Sequence, residues 1–167
     1  IRAVDLFHRR RPDIPIIYDI VGSGNHDELE QFSSLVRKLN LNGIVTLHGR
    51  VPNVELKPFF EGANIGVSFI PITNFYNIQP PTKTFEYTLS GLYTIATRTT
   101  ENEAVINSDC GHLIDDTEED FVNALDYIWA NRKQIDSAVV RNAMSDYRWE
   151  EIVHKYMKTI LEYYCLL

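Results

Sequence analysis

From Pro12 onward the chain alternates short apolar runs with stretches whose apolar residues recur at helical spacing. That alternation predicts repeated strand–helix units around a parallel sheet. The run Ile14 to Gly24 (IPIIYDIVGSG) predicts a buried strand ending in a glycine turn. The helix after it, beginning at His26, places Leu29, Phe32, Leu35, Val36 and Leu39 on one face, with Asn42-Gly43 as its stop. Ile44 to Gly49 predicts the next strand. Val54 to Ala63 predicts a short helical segment despite Pro58, and Asn64 to Pro71 a third strand.

Residues 71 to 81 (PITNFYNIQPP) form a loop of aromatic and amide groups, long enough inside a compact domain to suggest a functional role. In the segment Pro80 to Gly91 (PPTKTFEYTLSG) two prolines stiffen the approach to a helix, Thr82 can cap it, and Phe85, Tyr87, Leu89 and Leu92 supply apolar surface. Leu92 to Thr99 predicts a fourth strand, Thr100 to Ile106 a short helix and Gly111 to Asp115 a fifth strand. The helix that follows opens with Asp116 or Thr117 as cap and acidic groups in its first turn. Helices near 133–144 and 149–164 complete the pattern. At the other end, Ile1, Val4, Leu6 and Phe7 have helical spacing with no N-cap and no initiator methionine, as expected of a piece of a longer protein.

With 167 residues and 44% hydrophobic content, the chain suits a single compact domain with a real core. The formal net charge of -7 leaves no basic surface for a nucleic acid, and the longest basic run is Arg9 to Arg11. That run suits either an anionic membrane or the solvated end of a helix. Cys110 and Cys165 have no metal-ligand spacing and suggest reduced thiols of a cytoplasmic protein. His8, His26, His48, His112 and His154 are scattered without ligand spacing, so no metal site is expected. Dipole-matched capping accounts for the acidic cluster Asp115 to Asp120. There is no GxSxG elbow, and neither cysteine has a base nearby in sequence.

Gly22-Ser23-Gly24 lies between a strand and a helix, the setting of a phosphate-binding turn, but also of an ordinary one. A dinucleotide fingerprint would need a third glycine where Asp27 stands. Lys83 stands where the positive end of a helix dipole disfavours a cation, unless an anion lies in front of it. Glu86 follows on the same face, and a plain solvated ion pair is the competing account. Gly22 to Gly24, Gly49-Arg50, the loop with Lys83, and Thr97-Arg98 all follow predicted strands. In a parallel sheet such positions gather along one edge, which here carries Arg50, Lys83 and Arg98 and suits a nucleotide diphosphate.

The segments IVGSGN, VTLHGRVP, FFEGANIGVSFIP, PPTKTFEYTLSGLYTIAT, ENEAVINSDCGHLID and YRWEEIVHKYMKTILEYY together resemble the C-terminal, donor-binding half of a retaining GT-B glycosyltransferase of family 4. The resemblance implies a Rossmann-like parallel sheet with helices on both faces, its first strand lying before Ile1. It implies a nucleotide-sugar-binding domain over 1–148 and a C-terminal helix over 149–167 that packs towards an absent N-terminal domain. The residue matching Glu86 would bind the ribose hydroxyls, and Lys83, with Thr84 beside it, would lie near the diphosphate. Gly22, Ser23 and Gly24, and the segment Gly49, Arg50 and Val51, would approach the phosphates and the base, with Arg98 adding positive charge. No catalytic residue is implied. Many members carry a glutamate where this chain has Ile78.

The implied partners are a nucleotide-diphosphate sugar, as substrate and not cofactor, and a glycan or lipid-linked acceptor of polysaccharide or lipopolysaccharide biosynthesis. No metal is required, because positive side chains and helix ends can stabilise a leaving diphosphate. The expected location is cytoplasmic, with peripheral association of the full-length enzyme at the inner face of the membrane allowed. Without its N-terminal domain the fragment is expected to be inactive. The rival readings are a non-catalytic nucleotide-binding or interaction module that keeps the half fold, and a flavodoxin-like signalling domain.

Overall fold

The computed structural model describes residues 1–164, so Cys165 lies outside the described residues. Helix α1 (Arg2–Arg10) is followed by β1 (Tyr18–Val21), α2 (His26–Lys38), β2 (Val45–Gly49) and α3 (Lys57–Gly62). Next come β3 (Ile65–Ser68), α4 (Thr82–Leu89), β4 (Tyr93–Thr97), α5 (Thr100–Val105) and β5 (Gly111–Ile114). Helices α6 (Glu118–Asn131) and α7 (Ser137–Ala143) precede a final helical stretch made of α8 (Trp149–Ile152) and α9 (Thr159–Tyr163) joined by a π-helical segment, Val153–Lys158. The fold is α/β, with parallel strands flanked by helices.

Among the described residues all ladders are parallel, but the five strands form two sheets, β1-β2 and β3-β4-β5, where a single sheet was expected. Periodicity marks a strand without marking its ladder partner, which is a non-local choice. The chain also divides into two compact units, Ile1–Gly62 with Thr117–Trp129 and Ala63–Asp116 with the described residues from Ala130 onward.

In the first unit the chain returns through α6, whose acidic first turn meets α1. Arg10 Nη1 and Nη2 donate to Glu119 at 2.6 and 2.8 Å, and Arg2 lies 3.8 Å from Glu118. Arg11 reaches Asp126 at 2.7 Å and Asp13 at 3.2 Å, and Arg9 pairs with Asp5 one turn back. Each arginine of the Arg9–Arg11 run is therefore engaged by a carboxylate, which removes the basis for a membrane-facing basic patch. Beneath these pairs Val4, Phe7, Val36, Leu41, Val45, Phe121 and Val122 are buried.

Helix α2 stops earlier than Asn42-Gly43. Asn40 adopts φ 55°, Leu41 N–H donates to Val36 C=O at 3.0 Å and Asn40 N–H to Arg37 C=O at 3.1 Å. That is a Schellman ending with Asn in the left-handed position, sealed by the buried pair Val36 and Leu41. Phe32, expected on the core face, is 47% exposed. Strand β1 starts at Tyr18 and not at Ile14, and Pro15, lacking an N–H, cannot donate to a ladder.

In the second unit β4 is central and buried along its whole length, as a strand covered on both faces should be. Its register sets Ile65, Gly66, Val67 and Ser68 beside Tyr93, Thr94, Ile95 and Ala96, and Thr97 beside Ile114 on the other edge. Helix α4 packs on β3, β4 and α7. Thr117 caps α6 by accepting from Asp120 N–H at 3.1 Å, while Asp116 instead accepts from Ile72 N–H at 3.2 Å. Among the described residues no helix is long and apolar enough to cross a membrane.

Candidate functional site

In the first unit the ends of β1 and β2 bring the two glycine segments together. The register slips by one residue between Ile20 and Val21, so Val21 pairs with Gly49, and Gly22 N–H donates to Gly49 C=O at 2.8 Å. The slip needs a left-handed residue, and Gly49 supplies it at φ 67° with open space where a side chain would be. His48 is held by Asp19 at 2.6 Å and lies edge-on to Phe59 at 4.8 Å. Ser23 and Arg50 are exposed and Val51 is half-buried.

The N-terminus of α2 behind this turn is already closed. Asn25 Oδ1 accepts from Glu28 N–H at 2.9 Å, and Asn25 N–H donates to Glu28 Oε2 at 3.0 Å. This capping box sets a carboxylate over the helix end, and a Cβ on Gly24 would lie 2.6 Å from that same oxygen. A phosphate at this turn would meet the backbone of Gly22 to Gly24 and not the helix dipole, which Glu28 has matched.

In the second unit α4 begins differently. Its N-cap is Pro81, with no side-chain cap, so Thr82 is a first-turn residue and not the expected cap. Lys83 and Glu86 are both exposed, and among the described residues neither forms an ion pair. The solvated Lys–Glu pair is therefore not made. A cation stands unpaired at a helix start with no side-chain cap, an arrangement that an anion would complete, although Thr82 and Thr84 N–H already donate to Pro80 and Pro81 C=O.

Thr84, expected on the donor side, turns inward and is fully buried. Its backbone N–H donates to Pro81 C=O at 2.9 Å. Its hydroxyl lies 2.7 Å from Asn102 Oδ1 and 2.8 Å from Ser68 Oγ. The one hydroxyl proton goes to Asn102 Oδ1, which can only accept, so Ser68 donates to Thr84. No hydrogen-bonding group of the Thr84 side chain is left for a ligand. Arg98 is likewise committed, to Glu103 at 3.5 Å and Asp115 at 3.4 Å, and is no free positive charge.

Sequence reasoning missed Ser68, Thr99 and Asn102, which are buried with Thr84 and Thr97. The available signal was the placing of Thr94 and Thr97 inside an apolar strand and of Thr84 and Thr88 one turn apart on the inner face of α4. No buried side-chain nitrogen or oxygen among the described residues lacks a partner. Cys110 is free and buried, and burial pushes its thiol up, the opposite of an activated nucleophile. Among the described residues no cluster of three or more His, Cys, Asp or Glu is placed to hold a metal.

Residues 1–131 match the family glycosyl transferases, group 1. The chain belongs to this family. No curated protein sequence matches it. Among solved structures, this group 1 chain is similar to the pneumococcal O-GlcNAc transferase GtfA, solved with UDP and GlcNAc, at 20% identity and TM-score 0.75. That match covers 96% of this chain and 32% of GtfA. Sucrose-phosphate synthase of Thermosynechococcus elongatus matches at 20% identity and TM-score 0.64, over 99% of this chain and 43% of the synthase. The C-terminal domain of the Francisella tularensis group 1 protein LpcC matches at 16% identity and TM-score 0.60, over 92% of this chain and 75% of that domain. The chain thus has the fold of the C-terminal domain of a GT-B enzyme and spans under half the length of the first two relatives.

Proposed function

We propose that this chain is the donor-binding domain of a retaining glycosyltransferase, taking a nucleotide-diphosphate sugar and serving its transfer to a glycan or lipid-linked acceptor. The observation that carries the reading is Lys83, exposed and unpaired at the uncapped start of α4. The donor diphosphate completes that charge arrangement, and Glu86, on the same exposed face, accepts hydrogen bonds from the ribose hydroxyls. As the bond from the anomeric carbon to the diphosphate breaks, Lys83 stabilises the charge that develops on the leaving group. The work belongs to polysaccharide or lipopolysaccharide assembly in the cytoplasm. Transfer requires an N-terminal domain to hold the acceptor.

A second reading, a non-catalytic nucleotide-binding or interaction module, draws on Ile78, which is 67% exposed where many relatives are expected to carry a donor-sugar glutamate. Calorimetric titration with UDP, GDP, ADP and CDP tests both. One diphosphate bound selectively, and weakened by Lys83→Ala, supports the donor site. Binding of none of the four removes it. Sugar turnover that appears once the N-terminal domain is supplied distinguishes the enzyme from the module.

A further inference from the structure

A helix with neither a side-chain cap nor a capping ion pair frays at its first turn, and Lys83 stands in that turn. What holds it is a buried hydrogen-bond frame centred on Asn102, in the first turn of α5. Its Oδ1 accepts from Thr84 Oγ1 at 2.7 Å, its Nδ2 donates to Thr97 C=O at 2.8 Å, and its backbone N–H donates to Thr99 Oγ1 at 3.2 Å. Thr97 Oγ1 in turn accepts from Ile70 N–H at 2.9 Å and donates to Ile70 C=O at 2.7 Å. Thr100 and Asn77 bond reciprocally, at 2.9 and 3.1 Å. The short segment Thr97 to Asn102 therefore grips the loop before α4 at two points and α4 itself at Thr84.

We infer that Asn102 is a positioning residue for the donor site: by holding Thr84 it fixes the first turn of α4, and so sets Lys83 and Glu86 for the nucleotide while touching no ligand itself. The inference rests on the donor-binding reading above. Asn102 is fully buried, its amide is satisfied on both sides, and the bond to Thr84 ties the start of α4 to the C-terminal end of β4. A low-dielectric network of this kind rigidifies when complete and loosens when one member goes. Thr84 needs only its hydroxyl for this role, so serine should replace it and valine, equal in shape, should not.

Amide hydrogen exchange read by NMR, combined with calorimetry, tests the role. In the wild type, Thr84 and Phe85 N–H, which donate to Pro81 C=O at 2.9 and 3.4 Å, should be protected by about a hundredfold or more, despite lying in a first turn. Asn102→Ala and Thr84→Val should speed their exchange about tenfold relative to Ile95 of β4, and weaken whichever of UDP, GDP, ADP and CDP the wild type binds by a similar factor. Thr84→Ser should stay near wild type. Variants that exchange and bind as the wild type does, or that accelerate Ile95 and Thr84 alike, overturn the inference. Should the variants not fold, unprotected Thr84 and Phe85 amides in the wild type overturn it equally, and protected ones sustain it. A wild type that binds none of the four diphosphates removes the functional reading instead, and the exchange data judge the frame separately.

Discussion

Tyr87 of α4 lies directly across Gly66 of β3: a Cβ added to Gly66 would stand 2.5 Å from Tyr87 Cβ and 2.6 Å from its Cδ2. Only glycine lets the helix approach the strand this closely. Gly66→Ala should destabilise the protein by about 1–3 kcal/mol through overpacking. Shortening the partner should recover part of that loss, so a double-mutant cycle with Tyr87→Ala, followed by urea denaturation, should give a clear coupling. Additive losses would show that the two residues do not share the strain.

The clamp between α1 and α6 gives a pH-dependent prediction. The hydrogen bond from Arg10 holds the Glu119 carboxyl below its ordinary 4.5. A depressed carboxyl contributes stability above its unfolded value and loses it as pH falls through the folded one. Glu119→Gln should therefore slightly lower the melting temperature at neutral pH and low salt. The difference from wild type should vanish in strong acid and shrink in high salt, because the pair is exposed.

His112 of β5 also costs stability toward acid, but from a higher pH. Burial, then the charge of Arg98, hold its imidazole below the ordinary 6.5. The unfolded chain then binds a proton more readily than the folded one, so stability falls as pH drops below 6.5 and levels off once the folded-state imidazole also protonates. His112→Gln should flatten the melting-temperature profile between about pH 5 and about pH 8. A profile unchanged by the substitution would assign the pH dependence to other groups.

Much of this architecture is legible in the sequence, because strands such as Tyr93–Thr97 and helices such as Glu118–Asn131 carry strong local patterns and caps. What is not legible depends on non-local choices. Pairing β2 with β1 alone, and the return of α6 to α1, are decided by ladders and ion pairs between residues far apart in the chain. The expected stop of α2 is Asn42-Gly43, and the Val36–Leu41 pairing, which local pattern does not announce, ends the helix at Asn40 instead. The frame around Asn102 stayed hidden because Thr and Asn are mostly surface residues, and their burial follows only once each has a partner.

The last helical stretch carries apolar side chains that are largely exposed. Tyr156 and Ile160 are each 56% exposed and Tyr163 is 80% exposed, whereas Ile152 is half-buried. Residues with so little burial contribute little to the folded state, so Tyr156→Ser combined with Ile160→Ser should change stability by less than about 0.5 kcal/mol in chemical denaturation. It should also reduce self-association, which analytical ultracentrifugation would read. A large loss of stability would mean that these side chains are packed in solution.

Lys83 and Glu86 make separable contributions, and their separation is the sharpest test of the donor site. Lys83→Ala removes a charge, so it should weaken a nucleoside diphosphate, leave the bare nucleoside nearly untouched, and matter less as salt rises. Glu86→Ala removes an acceptor for the ribose hydroxyls and should cost ribonucleotides on the order of 1.5–3 kcal/mol, the range for a hydrogen bond to a charged group. It should hardly affect a 2′,3′-dideoxy analogue. Calorimetric titration of both variants with the selected diphosphate, its nucleoside and its dideoxy analogue gives a pattern of losses that a surface role would not produce. Two exposed residues without a ligand would shift stability slightly and equally for all three. Equal losses across the three ligands in both variants would therefore return Lys83 and Glu86 to ordinary surface electrostatics and leave the diphosphate to be held elsewhere.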